Sequence, residues 1–275
     1  MSPIIAFIPG AWLTPAFYEP FLSTLTETTA LPVEHIPYPS LDPNPNPNPN
    51  PGDPATAAAT ADVQTDTTAI RTRLLTLIES QAREVILIMH SYAGMPGAAA
   101  ASGLSKAARH RAGKPGGVVG MIFVAAFLVP EGVSCAGLQG GALPPWILLD
   151  TPAPQLNYPD DPVGNFLPEA RGILSEAALE TYLRPHATRA FTSPQPAPAW
   201  AEAEAEAETQ TTGLAFVVTA ADRAVPREAQ YAMMAATGRE WVVREIECGH
   251  CAPFVGEERI AETVRVVAEL VRGFS

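Results

Sequence analysis

A chain of 275 residues with 47% hydrophobic and 17% charged side chains can bury one large core, and it lacks any apolar run of the roughly 18 residues that a bilayer-spanning helix needs. Its net charge of −12 argues against nucleic acid and anionic membranes as partners, because both are bound through basic patches. Cys135, Cys248 and Cys251 are too few for a disulfide framework.

The opening MSPIIAFIPGAW has no basic n-region and is broken by Pro9 and Gly10. It reads as a first strand and turn rather than a signal peptide, so a cytoplasmic location is expected. Strand-like apolar runs follow at Ile4 to Ile8, Val33 to Ile36, Val85 to Met89, Val118 to Ala125, Leu214 to Thr219 and Trp241 to Ile246. Helical stretches are predicted at 15–29, 61–80, 93–110, 227–237 and 257–272, the last with Ile260, Val264, Val267 and Val271 on one stripe. Strands that are apolar throughout and alternate with helices indicate an α/β fold: a mainly parallel central sheet covered by helices.

Two segments break this rhythm. Asp42 to Pro54 alternates proline with asparagine, which removes amide donors and fixes φ, so it is expected to be a surface loop. The proline-rich stretch from Val129 to about Trp200, with an amphipathic piece near Ser175 to Leu183, separates two sheet strands. The expected organisation is therefore a core of residues 1–128 and 206–275 with an inserted cap at 129–205. The cap's apolar residues, including Leu138, Leu143, Trp146, Ile147, Leu148, Leu149 and Leu156, either line a substrate pocket or form a private core. The same choice stands for Tyr158, Phe166 and Tyr182. Alternating Glu202, Glu204, Glu206 and Glu208 read as a solvated helix or linker.

The chemistry is placed at Ser91. An apolar strand delivers it into a sharp turn with small residues beyond, which holds Oγ clear of the backbone and beside a helix's amide end. The usual elbow pattern has small residues two positions either side of the serine. Ala93 satisfies it, whereas Met89 departs from it and is expected to point away from the crossing helix. A nucleophilic serine needs a base and an orienting acid, in the order Ser, Asp/Glu, His. Of the five histidines, His35, His90, His110, His186 and His250, only His250 follows the last strand, in a loop with Gly249 and Pro253. His90 should point away from the nucleophile and pack or hydrogen-bond locally. Asp222 follows the strand ending at Thr219 and is preferred to Glu131 as the acid, although a turn or N-cap aspartate is its plain alternative. The oxyanion hole is assigned to the amides of Ala11 and Tyr92, with Gly10 giving the loop its freedom. Trp12, Trp146 and Leu143 are the candidate substrate contacts.

Cys248-Gly249-His250-Cys251 matches a redox dithiol motif, but such a motif opens the long helix early in a thioredoxin-like domain, and only 24 residues follow Cys251 here. No metal or cofactor is expected. The histidines are scattered, and no Gly-rich dinucleotide fingerprint follows the first strand.

Together these segments resemble the α/β-hydrolase superfamily, in particular the small capped esterases related to plant methylesterases and hydroxynitrile lyases, and above all their fungal members. Ile-Pro-Gly-Ala-Trp at 8–12 is similar to their His-Gly-Ala-Trp loop, and Met-His-Ser-Tyr-Ala-Gly at 89–94 to their elbow. Asp-Arg-Ala-Val-Pro at 222–226 and Cys-Gly-His-Cys-Ala-Pro-Phe at 248–254 are similar to their acid and histidine segments. The resemblance implies a cofactor-independent serine hydrolase acting on an apolar small-molecule ester or lactone. Acyl transfer, cyclisation or C–C cleavage on the same site, or a ligand receptor on a hydrolase scaffold, are the alternatives. Neither Lys106 nor Lys114 stands where the lysine of plant hydroxynitrile lyases acts.

Overall fold

The computed structural model describes residues 3–41, 59–168, 174–202 and 212–274; the Pro/Asn-rich segment expected to be a loop, and Glu204, Glu206 and Glu208, lie outside them. Strands among the described residues are β1 Ile4–Ile8, β2 Val33–His35, β3 Glu84–His90, β4 Gly117–Val124, β5 Ile147–Leu149, β6 Leu156–Pro159, β7 His186–Ala187, β8 Gly213–Thr219 and β9 Val242–Ile246. Six of them form one sheet in the order β2-β1-β3-β4-β8-β9. Every pairing in it is parallel, and β1, β3 and β4 are almost wholly buried. That burial explains their unbroken apolar runs, because a parallel strand covered on both faces has no polar side to alternate with. The register sets Ile8 beside Met89, His90 beside Val124, and Thr219 beside Ile246. The carboxyl ends of β1, β3, β4 and β8 therefore reach one edge of the sheet.

Helix Pro15–Thr29 packs on helix Glu257–Gly273, and helix Val63–Leu75 on helix Gly94–Ala100. The helix expected over 93–110 is two helices, Gly94–Ala100 and Lys106–Arg111. Gly103 takes φ +71° between them, and Ser105 starts the second by accepting from the Ala108 amide at 3.2 Å. Glu202 caps the same break, accepting from Ser102 Oγ at 2.8 Å and Gly103 N at 2.5 Å. The helix expected over 61–80 ends in a π-helical turn, Thr76–Ser80.

Between β4 and β8, the chain forms a second sheet, β5-β6-β7, which is antiparallel, and short helices including Cys135–Leu138 and Glu176–Tyr182. This insertion is tied to the core at the loop after β1: Arg184 N donates to Trp12 O at 2.7 Å, Thr14 N to Tyr182 O at 2.9 Å, and Trp12 Nε1 to Asn157 Oδ1 at 2.9 Å. Its apolar residues divide, with Leu156 buried and Leu148 and Leu149 exposed. No helix among the described residues is long and apolar enough to cross a membrane.

Met89 does not point away from the crossing helix. A Cβ on Gly97 of that helix would stand 2.7 Å from Met89 Sδ and 2.8 Å from Ile8 Cδ1, so the clearance an elbow glycine would give is supplied from the helix side. Gly97→Val should therefore destabilise the fold by roughly 1–3 kcal/mol through overpacking. Urea unfolding measures this, and Met89→Ala in the same chain should restore most of the loss.

Candidate active site

The elbow is visible in the backbone. β3 ends at His90, and Ser91 then takes φ +54° before the 3-10 turn Ser91–Ala93 and helix Gly94–Ala100. A left-handed conformation costs a non-glycine residue of order 1–3 kcal/mol and persists only where its surroundings fix it. Here the Phe127 amide donates to Ser91 O at 3.0 Å. Gly94 admits the Phe127 carbonyl where a Cβ would collide with it. Gly10 does likewise for the loop after β1, since its Cβ would lie 2.6 Å from His90 Nδ1 and 3.1 Å from Ser91 Cβ.

Ser91, His250 and Asp222 come together from three separate loops. Nε2 of His250 lies 2.8 Å from Ser91 Oγ, and Nδ1 lies 2.7 Å from Asp222 Oδ2. A carboxylate only accepts, so the His250 proton sits on Nδ1 and Nε2 is left to accept from the serine hydroxyl. Asp222 is itself held: Oδ2 accepts from Thr219 Oγ1 at 2.7 Å, and Oδ1 from the amides of Ala224 and Val225 at 2.8 and 2.7 Å. Its turn hydrogen bonds and its contact with His250 thus coexist. Glu131 is exposed. Ser91 and His250 are 6% and 3% exposed, buried beneath the insertion rather than near the surface of an open cleft.

His90 packs against Tyr18, Phe254 and His250, and its hydrogen bonds run to residues distant in the chain. Its Nδ1 lies 2.9 Å from Tyr18 Oη, and its Nε2 lies 3.1 Å from the His250 carbonyl. A carbonyl accepts only, so Nε2 carries the proton and Tyr18 donates to Nδ1 while accepting the Gly10 amide at 3.0 Å. Burial, then the neighbouring His250, pushes the His90 pKa well down, which keeps the ring neutral as this arrangement requires. Tyr38 donates to the Gly10 carbonyl at 2.9 Å. With both polar groups of Gly10 engaged, the loop is pinned against Ser91 and Gly10 has no amide to offer a ligand. Ala11 and Tyr92, the expected oxyanion donors, follow Gly10 and Ser91 directly and are both buried.

Tyr92 anchors a second buried network that sequence reasoning missed. Its hydroxyl donates to Asp66 Oδ2 at 2.6 Å, Ser40 Oγ to the same oxygen at 2.5 Å, and Ser40 N to Oδ1 at 2.9 Å. His186 Nε2 meets Ser40 Oγ at 3.0 Å. Burial lifts the Asp66 pKa from 3.8 to about 6, against the pull of these donors.

Trp12, Trp146 and Leu143 line one narrow cleft with Ser91 and His250, of about 20 Å³. Phe127, Phe166 and Phe191 complete its apolar wall; only Phe166 was singled out by sequence, since the others lie in segments without periodicity. Cys248 and Cys251 are buried in the turn that presents His250, just before the 3-10 turn Ala252–Phe254. His90, His250 and Cys251 have ligand atoms within 4.8 Å of one another. The imidazole nitrogens of that group already serve Tyr18, the His250 carbonyl, Ser91 and Asp222.

Two outcomes follow from the networks. Tyr18→Phe leaves the Gly10 amide and His90 Nδ1 without their partner and should cost roughly 1–3 kcal/mol in unfolding free energy. Because the folded pKa of Asp66, about 6, lies above 3.8, the folded state holds the extra proton and this group's contribution to stability falls as pH rises from about 4 to 6. In urea titrations, the stability of the wild type minus that of Asp66→Asn should shrink across that window.

Residues 5–266 match the model of a family described as alpha/beta hydrolase. A search against curated proteins finds no significant match. Among solved structures, a pyrethroid hydrolase from Sphingobium faniae JZ-2 is similar at 19% identity and TM-score 0.64, covering 98% of each chain. The methylesterase MES16 from Arabidopsis is similar at 15% identity and TM-score 0.60, over 97% of this chain and 99% of its own. A mutant of polyneuridine aldehyde esterase is similar at 13% identity and TM-score 0.65, over 100% of both chains. At such identities the likeness carries the fold, and the family match over nearly the whole length carries the assignment: this chain belongs to the alpha/beta hydrolase family.

Proposed function

We propose that the chain is a serine hydrolase that cleaves an ester or lactone of a moderately apolar small molecule without a cofactor. The observation that carries this reading is the relay of 2.8 and 2.7 Å contacts from Ser91 through His250 to Asp222, headed by a serine in a left-handed turn. The chain's likeness in fold to a pyrethroid hydrolase, a methylesterase and polyneuridine aldehyde esterase supports it.

In this reading Ser91 Oγ attacks the substrate carbonyl as His250 Nε2 takes its proton, and Asp222 stabilises the imidazolium. The new C–O bond makes a tetrahedral oxyanion, held by the amides of Ala11 and Tyr92, each worth roughly 3 kcal/mol in comparable enzymes. The intermediate collapses by breaking the bond to the leaving alkoxide oxygen, which receives the proton from His250. Water, deprotonated by the same histidine, then attacks the acyl-enzyme and releases the acid and free Ser91. Trp12, Trp146 and Leu143 contact the apolar part of the substrate.

Ser91→Ala and His250→Ala should each lower ester turnover by several orders of magnitude without loss of fold, and Asp222→Asn by roughly 10⁴ through the wrong tautomer. A fluorophosphonate reporter should label wild type at Ser91 and leave Ser91→Ala unlabelled, with peptide mass spectrometry locating the adduct. Normal turnover by Ser91→Ala would reject the mechanism. Cys248→Ser with Cys251→Ser should retain most activity; its loss with fold intact would favour thiol chemistry.

A further inference from the structure

A second depression adjoins the Ser91 cleft. Its cavity volume is about 350 Å³, against about 20 Å³ for the cleft itself. Its floor is the helix Arg227–Ala236, where Ala232 and Met233 face it, and its far wall is Leu128, Leu138 and Trp200. No ionisable side chain among the described residues lines it, on a protein whose net charge is −12. Leu138, at 38% exposure, is among the few large apolar residues left in solvent.

The two hollows share Phe127, Gln139, Ala224 and Val225. These walls are fastened to the relay itself: the Phe127 amide donates to Ser91 O at 3.0 Å, and the Ala224 and Val225 amides donate to Asp222 Oδ1 at 2.8 and 2.7 Å. The larger groove therefore borders the same wall that holds the relay in place. A group as large as the groove does not fit the cleft, while the cleft suits the carbonyl and a small substituent.

We infer that this groove seats the large apolar arm of the substrate, so that the enzyme selects uncharged esters with a long or bulky apolar group on one side of the carbonyl and a small group on the other. The inference rests on the hydrolase reading above. Burying successive methylenes there makes the transition state more favourable with chain length, because each removes apolar surface from water.

The test is kcat/KM across two series, followed by acid release: methyl esters from acetate to dodecanoate, and acetates from methyl to dodecyl. One series should rise by about 100-fold or more. Ala232→Trp, and separately Ala236→Trp, fill the exposed helix face of the groove and should collapse that rise to within about threefold, with Ala232→Ser retaining it. Circular dichroism checks that each variant folds. A rise that survives both tryptophan variants overturns the inference. So does flat, falling or absent turnover in both series while the fluorophosphonate reporter still labels Ser91, and the hydrolase reading then stands alone. Absent turnover with Ser91 unlabelled overturns the hydrolase reading and the inference with it.

Discussion

The backbone of Ser91, turned to φ +54° at the end of a central parallel strand, is a strained position that the rest of the structure is arranged to hold. A strand cannot end this way unless its neighbours approach closely, and three glycines, Gly10, Gly94 and Gly97, stand where a side chain would block that approach. The sheet supplies the remaining constraint. β3 lies between β1 and β4, so its end is fixed on both sides, and the loop after each neighbouring strand has one place to go. The relay to His250 and Asp222 follows from that placement, because β8 ends at Thr219 and the turn after β9 carries His250.

Polar groups around this point are buried in closed sets. Asp222 gathers hydrogen bonds from Thr219, Ala224 and Val225 as well as facing His250, which offsets the cost of taking a carboxylate out of water. His90 and Asp66 are handled differently. One stays neutral because burial drives its proton off, and the other is drawn toward the neutral form as its pKa rises to about 6. Low dielectric strengthens every satisfied contact here and makes each missing one expensive.

Much of this was legible in the sequence where physics leaves a local mark. Doubly covered strands read as apolar runs, and the helix Glu257–Gly273 read from its stripe. Ser91, Asp222 and His250 stood out because each follows a strand in the right order. What was illegible depends on partners distant in the chain. Met89 looked wrong for an elbow because its relief comes from Gly97 across a helix crossing. Tyr18 carries no signal at all, and becomes meaningful only when folding brings it 2.9 Å from a histidine 72 positions away. The antiparallel sheet of the insertion was missed because its strands are two to four residues long, too short for a period to register.

The bond from His90 to the carbonyl of His250 joins the residue before the proposed nucleophile to the main chain of the proposed base. Ser91 and His250 therefore behave as one mechanical body, although 158 residues separate them in the chain. The insertion reaches the same part of the molecule at several points, through the loop after β1 and through Cys251 N donating to Phe166 O at 2.9 Å and Gln195 Nε2 donating to Met95 O at 2.7 Å, so the cover over the reacting atoms and the turn that carries the proposed base form one continuous hydrogen-bonded piece.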